Sequence, residues 1–231
     1  MTFTCTNGSR RSSASQVIRV APLPESDVAP AGMVLVTSAA RTVVDCARTL
    51  PGADALAIAD RALRVGPLTH GDLRQGVERA KGWPGSAQAR RVVELADGRR
   101  ESPLESWSAW SFAEQGVPPP QWQVVICDRE GVFLGRADAW WRQGVAGEAD
   151  GRLKYRLAAL ERGGIGAESL AAVLDDERRR ELEMRRAGVI VVRWGAVDVR
   201  RPSRAAALAS QLRAEVARAE PGTFRGTVTT A

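Results

Sequence analysis

Three acids and one lysine in a short stretch of the chain could support chemistry. Asp138, Glu148, Asp150 and Lys154 lie in GRADAWWRQGVAGEADGRLKY, residues 135–155. Glu148 and Asp150 are two residues apart, so both side chains would point to one face of a strand. Adjacent carboxylates repel, and burial raises the pKa of one of them unless a cation lies between them. The stretch therefore fits either a site for a hard cation or a polar turn that connects strands.

The rest of the sequence limits which metal chemistry is available. Histidine occurs once, as His70 in LTHGDL, where Thr69 would cap a helix. The cysteines are far apart and form no CxxC pair, which argues against a disulfide framework or a cysteine zinc site; they are Cys5, Cys46 and Cys127. Metal chemistry would therefore use carboxylates and a cation such as Mg²⁺.

Composition and charge are those of a basic globular protein. The chain has 231 residues, of which 44% are hydrophobic and 26% charged, and its formal net charge is +6. No apolar run reaches the roughly 18 residues of a membrane span, and the N-terminus has no apolar signal region, so we expect a cytoplasmic protein. The basic balance fits a nucleic-acid partner, although nearly all basic residues are arginine, as a GC-rich genome would also produce.

Four segments are predicted along the chain. Residues 1–15 are rich in Ser, Thr and Arg and predict a disordered start. Residues 16–98 contain two strand-like patterns and then stretches with apolar residues at helical spacing, which predict a small helical module. Residues 99–218 predict a second domain, and residues 219–231 a tail.

The second domain is predicted to follow the order α-β-β-β-α-β-α, within an α/β (α+β) fold class. Its first helix has Ser102 as N-cap, Pro103 at the first helical position and Glu105 three residues after the cap, which is a capping box. Two strands joined by DREG should form a hairpin. The strands and helices after the first helix are QWQVVICD, VFLGRADAWW, VAGEADG, ESLAAVLDDERRRELEMRRAG, VIVVRW and SRAAALASQLRAEVARA.

Five motifs of this domain, taken together, resemble one family. They are ESPLES, GRADAWW, GEADGRLKY, ERRRELEMRRAG and VVRWGAVDVRRP. In order and spacing they are similar to the C-terminal domain of actinobacterial proteins that resemble very-short-patch-repair endonucleases of the PD-(D/E)XK superfamily. Upstream, VTSAARTVVDCARTL resembles the middle region of the same proteins, which are often described as AbiEi-like type IV antitoxins. The resemblance covers roughly residues 16–217 and implies a nuclease-like core.

The resemblance also implies roles for individual side chains. Asp138 and Glu148 would be metal ligands, and Glu105 matches an acid that can complete the metal site. Its capping-box role explains Glu105 equally well. Asp150 stands at the position of an auxiliary acid, in place of the superfamily lysine. Lys154 would position water or contact phosphate. The implied cofactor is Mg²⁺.

Several positions depart from the family pattern. Ala149 replaces the bulky residue between the two acids, Arg179 stands where an apolar residue is usual, and Leu182 where an acid is usual. The winged-helix DNA-binding domain that begins the full-length relatives is expected to be missing, because Met1 falls about where it would have ended. The antitoxin description depends largely on that domain.

Three functions remain open at this point. The first is a metal-dependent endonuclease, or a catalytically silent relative of one, that acts on DNA rather than RNA. The second is a non-enzymatic, antitoxin-like regulator that binds DNA, a cognate toxin or another protein. The third is a structural remnant without activity. If Asp138 or Glu148 is paired with arginine in a packed interior, the second and third gain support.

Two further pairs of residues have a structural and a functional interpretation. Trp140 and Trp141 are adjacent on a strand, so one should lie in the core while the other could stack on a base. Arg180 and Glu181 match a recurrent pair on the crossing helix, for which a structural or phosphate-facing role is expected.

Overall fold

The computed structural model describes residues 2–6, 9, 11–150, 178–219 and 222–230. This part of the chain is a mixed α and β protein, as the sequence predicts. In this part no helix is both long and apolar enough to cross a membrane. The strands are β1 (Thr2–Cys5), β2 (Arg11–Ser12), β3 (Val17–Val20), β4 (Val28–Ala31), β5 (Val34–Thr37), β6 (Gln121–Cys127), β7 (Phe133–Trp141), β8 (Val145–Ala149), β9 (Ile190–Trp194) and β10 (Thr227–Thr230). The helices are α1 (Ala39–Thr49), α2 (Gly52–Val65), α3 (His70–Arg79), α4 (Ser86–Leu95), α5 (Pro103–Glu114), α6 (178–186), α7 (Ala196–Arg200) and α8 (Pro202–Arg218).

The N-terminal segment forms strands where the sequence predicts a disordered start. β1 pairs in parallel with β3, and β2 pairs antiparallel with the other edge of β3. The prediction is wrong for these strands. It was made from the polar composition of the segment, which indicates that few side chains are buried. The strands form nevertheless, because their backbone groups make hydrogen bonds to β3. A separate antiparallel hairpin of β4 and β5 follows.

The helical module agrees with the sequence prediction. α1 begins after Ser38, whose side chain accepts a hydrogen bond from the Arg41 N–H, and α3 begins after Thr69 with a reciprocal capping box. His70 is the first residue of α3, as expected. Helices α1–α4 bury their apolar stripes against each other, and the central side chains are fully buried; they include Val44, Leu56, Leu73 and Val92.

The predicted second domain contains a five-stranded sheet with the order β10-β6-β7-β8-β9. β6, β7 and β8 are antiparallel neighbours, whereas β9 runs parallel to β8. The predicted tail contributes β10, which pairs antiparallel with β6, so this part of the tail prediction is wrong. Because 151–177 lie outside the described residues, the complete α-β-β-β-α-β-α order stays a prediction. The short helix α7 is an element that the sequence did not predict.

The sheet separates two apolar cores. On one side, the rings of Trp122, Trp141 and Trp194 pack around Phe112 of α5. On the other side, Trp140 contacts Phe224 edge-on and belongs to the cluster that includes Met184 of α6. Both tryptophans of the adjacent pair are therefore core residues, each with 3% exposure, and neither is available to stack on a base.

One glycine allows α6 to lie against the sheet. A Cβ atom added at Gly135 of β7 would stand 2.7 Å from Met184 Cε and 3.2 Å from Arg180 Cδ. A larger residue would therefore require the end of the Met184 side chain and the Arg180 stem to shift. Gly135 leaves room for these two side chains of α6 against the strand that carries Asp138.

A buried ion pair joins the helical module to the second domain. Arg100 donates to Asp60 of α2 from Nε at 2.6 Å and from Nη2 at 2.9 Å. Ser106 of α5 donates to the same carboxylate at 2.6 Å, and the Arg100 guanidinium lies over the Trp122 ring. Both charged side chains are almost fully buried, at 2% and 3% exposure. This cluster fixes α2 against α5, and through α5 it positions Glu105.

We expect Asp60→Ala to lower the free energy of unfolding by about 3–5 kcal/mol, because it leaves the Arg100 charge buried without a partner. The matched control is Arg99→Gln, which breaks a pair whose arginine is 46% exposed and which should change stability by less than about 1 kcal/mol. Urea titrations followed by tryptophan fluorescence measure both changes. Equal effects of the two substitutions would show that the buried pair does not hold the domains together.

Candidate functional site

Two carboxylates from different elements meet on the amide of one glutamine. Gln123 of β6 donates from Nε2 to Glu105 Oε2 at 2.6 Å and to Asp138 Oδ1 at 3.3 Å. Glu105 lies in the first turn of α5, and Asp138 lies on β7. Glu105 and Gln123 are buried, with 4% and 3% exposure. The amide therefore separates two acids that would otherwise face each other inside the protein.

Gln123 has an unusual backbone conformation that places its side chain in the site. Its φ is +53°, and no other non-glycine residue in the described part of the chain has a positive φ. Trp122 stacks on Phe112 of α5, and the next side chain, Gln123, also reaches α5 through Glu105. The usual alternation of faces along a strand is thus interrupted. Such conformations cost roughly 1–3 kcal/mol and cluster at functional sites.

Glu105 caps its own helix and belongs to the site at the same time. The Ser102 side chain accepts the Glu105 N–H and donates to Glu105 Oε1 at 2.6 Å. In a capping box the Glu105 carboxylate would accept the N–H of the cap residue, Ser102. Here Glu105 Oε2 accepts the backbone N–H of the preceding residue, Glu101, at 3.0 Å. The capping function and the approach to Asp138 are therefore compatible, because they use different lone pairs of one carboxylate.

Asp138 lies where the negative charge of its carboxylate is unfavourable. The pKa of Asp138 is raised to about 6: burial contributes most, the negative charge of Glu105 comes next, and Glu148 adds a smaller contribution. Hydrogen bonds oppose these effects only in part: the Ala149 N–H donates to Asp138 Oδ2 at 2.8 Å, and Gln123 donates to Oδ1. Asp138 therefore changes protonation near neutral pH, which is the behaviour of acids and bases in active sites.

Glu148 is directed toward two arginines rather than toward Asp138. In the parallel register of β8 and β9, Glu148 lies beside Arg193, and Arg193 Nε donates to Glu148 Oε2 at 2.7 Å. Arg180 of α6 lies farther away, with Nη2 at 3.5 Å from Oε1. Within the described residues, Oε1 has no hydrogen-bond partner, although the side chain is only 12% exposed.

The arginines beside Glu148 belong to a network that reaches the surface. Arg193 Nη1 also contacts Glu181 Oε2 at 2.8 Å, and Glu181 pairs with Arg185 along α6 at 2.6 Å. The side chains of Arg193 and Arg180 are 37% and 35% exposed. The Arg180 and Glu181 pair singled out in the sequence is therefore in contact with the predicted site.

A second pair of arginines contacts Glu101, whose N–H donates to Glu105. Arg136 of β7, two residues before Asp138, contacts Glu101 Oε1 at 2.7 Å, and Arg64 contacts the same oxygen at 3.2 Å. Both side chains are partly exposed, at 43% and 34%. Partly exposed guanidinium groups therefore contact neighbours of Glu105 as well as Glu148.

Of the two remaining predicted site residues, one lies at the end of β8 and one lies outside the described residues. Asp150 is exposed and directly follows β8, and its N–H donates to the Trp194 carbonyl at 2.8 Å. The shared face of Glu148 and Asp150 stays a prediction. Lys154 lies outside the described residues.

The donor atoms fit a hard cation by type, whereas their arrangement is incomplete. Glu105, Asp138 and Glu148 offer carboxylate oxygens, the ligands that Mg²⁺ uses in proteins, and Glu148 Oε1 is buried without a hydrogen bond. Among the residues described, no group of three or more His, Cys, Asp or Glu side chains is arranged to hold a metal ion. A cation shared by Asp138 and Glu148 would require Glu148 to turn away from Arg193.

Gln123 and Arg193 are two members of the site that the sequence did not identify as candidates. Gln123 sits in a run of strand-forming residues, and nothing in its neighbourhood indicates a positive φ. Arg193 could have been found from strand pairing, because an acid and an arginine on adjacent strands are complementary partners. The parallel pairing of β8 with β9 had to be known first.

Comparison with known proteins gives relatives without a described function. Two curated proteins of Mycobacterium tuberculosis, from strains CDC 1551 / Oshkosh and H37Rv, are each described as uncharacterized and are 32% identical over 156 residues. The matched region covers 63% of this chain and 57% of each relative, so the chain spans little more than half the length of these proteins. No family model matches the chain. No solved structure matches it either.

Replacement of Asp138 by Asn should stabilise the protein in a pH-dependent way. The pKa of Asp138 is raised from 3.8 to about 6 on folding, so its charge is tolerated in the unfolded chain and disfavoured in the folded one. Protonated Asp138 therefore stabilises the folded wild type below about pH 4, and this stabilisation is lost as the pH rises through about 6. A two-unit shift of the pKa corresponds to a loss of about 3 kcal/mol.

The measurement is the difference in melting temperature between Asp138→Asn and wild type from pH 4 to 8. The difference should grow in favour of Asn between about pH 4 and 6 and level off above pH 6, because only between the two pKa values does the folded state bind more protons than the unfolded chain. Glu130→Gln, which neutralises an exposed acid in the β6–β7 turn, is the control and should show a flat difference. A flat curve for Asp138→Asn would contradict the burial of its charge.

Proposed function

We propose that the protein is a divalent-cation-dependent phosphodiesterase of the PD-(D/E)XK endonuclease type that acts on DNA. The observation that carries this proposal is the meeting of Glu105 and Asp138 on the amide of Gln123, with Glu148 on the adjacent strand. Burying like charges is unfavourable for the fold alone and is useful where a cation or a proton must be bound. The positive φ of Gln123 supports this interpretation independently.

Three side chains would hold the cation. Asp138, Glu148 and Glu105 are the proposed ligands, and Mg²⁺ is the cation that their oxygens suit. The bound cation would supply a nucleophilic water and stabilise negative charge on the phosphodiester. Asp150 and Lys154 keep the auxiliary roles that the family resemblance implies, Asp150 as a second acid and Lys154 as a contact to water or phosphate.

The proposed substrate is DNA because positive charge lies beside the acids. Arg136 and Arg64 on one side, and Arg193 and Arg180 on the other, are partly exposed and within reach of a backbone that passes the acids. The chain's net charge of +6 also favours a polyanion. We expect this activity in the cytoplasm.

A second candidate is a regulator that uses the same fold without cleaving DNA. The observation in its favour is the ion pair between Glu148 and Arg193, which neutralises a proposed metal ligand. In this case the arginines would bind DNA, or the protein would bind a cognate toxin or another protein. The two candidates differ in whether DNA that is bound is also cleaved.

A plasmid-nicking assay with Mg²⁺ or Mn²⁺ tests the proposal. Wild type should nick the plasmid, and Asp138→Ala and Glu148→Ala should each reduce the rate by at least about 100-fold, because loss of a ligand should exceed the 10–100-fold cost of losing an outer-shell contact. Glu130→Ala removes an exposed acid from the same hairpin and should leave the rate unchanged.

Two results would count against the enzymatic proposal. Cleavage that persists unchanged in both ligand variants would remove the proposed site. DNA binding by wild type without cleavage in either metal would favour the regulator. Melting curves of each variant establish that lost cleavage does not reflect lost folding.

A further inference from the structure

The arginines that hold Glu148 differ from the arginine that holds the domains together. Arg100 is 3% exposed and donates two short hydrogen bonds to Asp60. Arg193 and Arg180 are more than one third exposed, and the second approaches Glu148 only to 3.5 Å. An anion from solvent can therefore reach Arg193 and Arg180 but not Arg100, whereas Glu148, on the other side of both pairs, is only 12% exposed.

Release of Glu148 from these arginines would change what its carboxylate can bind. With Arg193 on Oε2, one carboxylate oxygen is occupied and the negative charge of Glu148 is compensated. A cation that approached Asp138 would have to compete with the guanidinium groups for the same carboxylate. The other oxygen, Oε1, is buried without a hydrogen bond in the described part of the chain and is the atom with capacity for a further ligand.

A phosphodiester can compete with the Glu148 carboxylate for these arginines. The guanidinium fork matches phosphate oxygens as well as it matches a carboxylate. Glu181 holds Nη1 of Arg193 at 2.8 Å, so this arginine can turn about a fixed contact and need not leave the site. Arg180 rests its aliphatic stem against the gap above Gly135, which keeps it near the β7 strand.

We propose that Arg193 and Arg180 form a phosphate-responsive lock on Glu148. Without DNA the guanidinium groups hold the Glu148 carboxylate. When the DNA backbone reaches the site, its phosphates take over the arginines and release Glu148 to share a cation with Asp138. This inference rests on the proposed function, since it assigns the coupling between DNA and cation at that same site. Because coupling is reciprocal, a bound cation would also favour DNA binding.

Calorimetric titration of Mn²⁺ into the 231-residue chain, with and without a short DNA duplex, tests the lock. In wild type the duplex should raise the Mn²⁺ affinity by about fivefold, the lower end of the range typical of coupling between two binding sites. Arg193→Gln should bind Mn²⁺ about fivefold more tightly than wild type without DNA, and the duplex should then add nothing. Arg180→Gln should act in the same direction and more weakly.

Arg185→Gln is the matched control, because it removes one positive charge from α6 at a residue that pairs with Glu181 and not with Glu148. It should behave as wild type. If Mn²⁺ binding requires Asp138 but is the same in wild type and both lock variants, the lock is wrong and the proposed cation site stands. If wild type and the lock variants all fail to bind Mn²⁺, with and without DNA, the proposed function and the lock fail together.

Discussion

The hydrogen bond from Gln123 to Glu105 is the interaction on which the site depends. It places an uncharged donor between buried Glu105 and partly buried Asp138, and it is made by a residue whose φ of +53° breaks the alternation of β6. Glu105 and Asp138 lie on two elements that are held in place by different contacts. α5 is fixed by the Asp60–Arg100–Ser106 cluster, and β7 is paired on both edges. The fold therefore holds two like charges close together, and the pKa of Asp138 is raised first by burial and then by the charge of Glu105.

The second feature of the site is a balance between two neighbours of one carboxylate. Glu148 stands beside Arg193 because β9 pairs in parallel with β8, and near Asp138 because β7 pairs antiparallel with β8. The same sheet order thus offers Glu148 a positive and a negative partner. In the described conformation the positive partner holds it. The two proposed functions would differ in which partner binds Glu148 when DNA and a cation are present.

Much of the fold could be predicted from local signals, and the failures have physical causes. The four helices of the module and the β6–β7 hairpin follow from apolar spacing, caps and turn residues. The strands at Thr2–Cys5 and Thr227–Thr230 were missed because long-range backbone pairing, and not side-chain pattern, orders these polar segments. In the site, spacing together with the family resemblance pointed to Asp138 and Glu148, but Gln123 and Arg193 depend on a backbone angle and a strand register that no short motif encodes.

The central claim is that the buried acids can accept a divalent cation once Arg193 releases Glu148. Crystals of the protein with a short DNA duplex and Mn²⁺, examined by anomalous scattering, test it most directly. We expect an anomalous peak in contact with Asp138 and Glu148, with the Arg193 guanidinium on a DNA phosphate. A duplex bound at the arginines with no peak at the acids, and with the Glu148–Arg193 pair intact, would contradict the account.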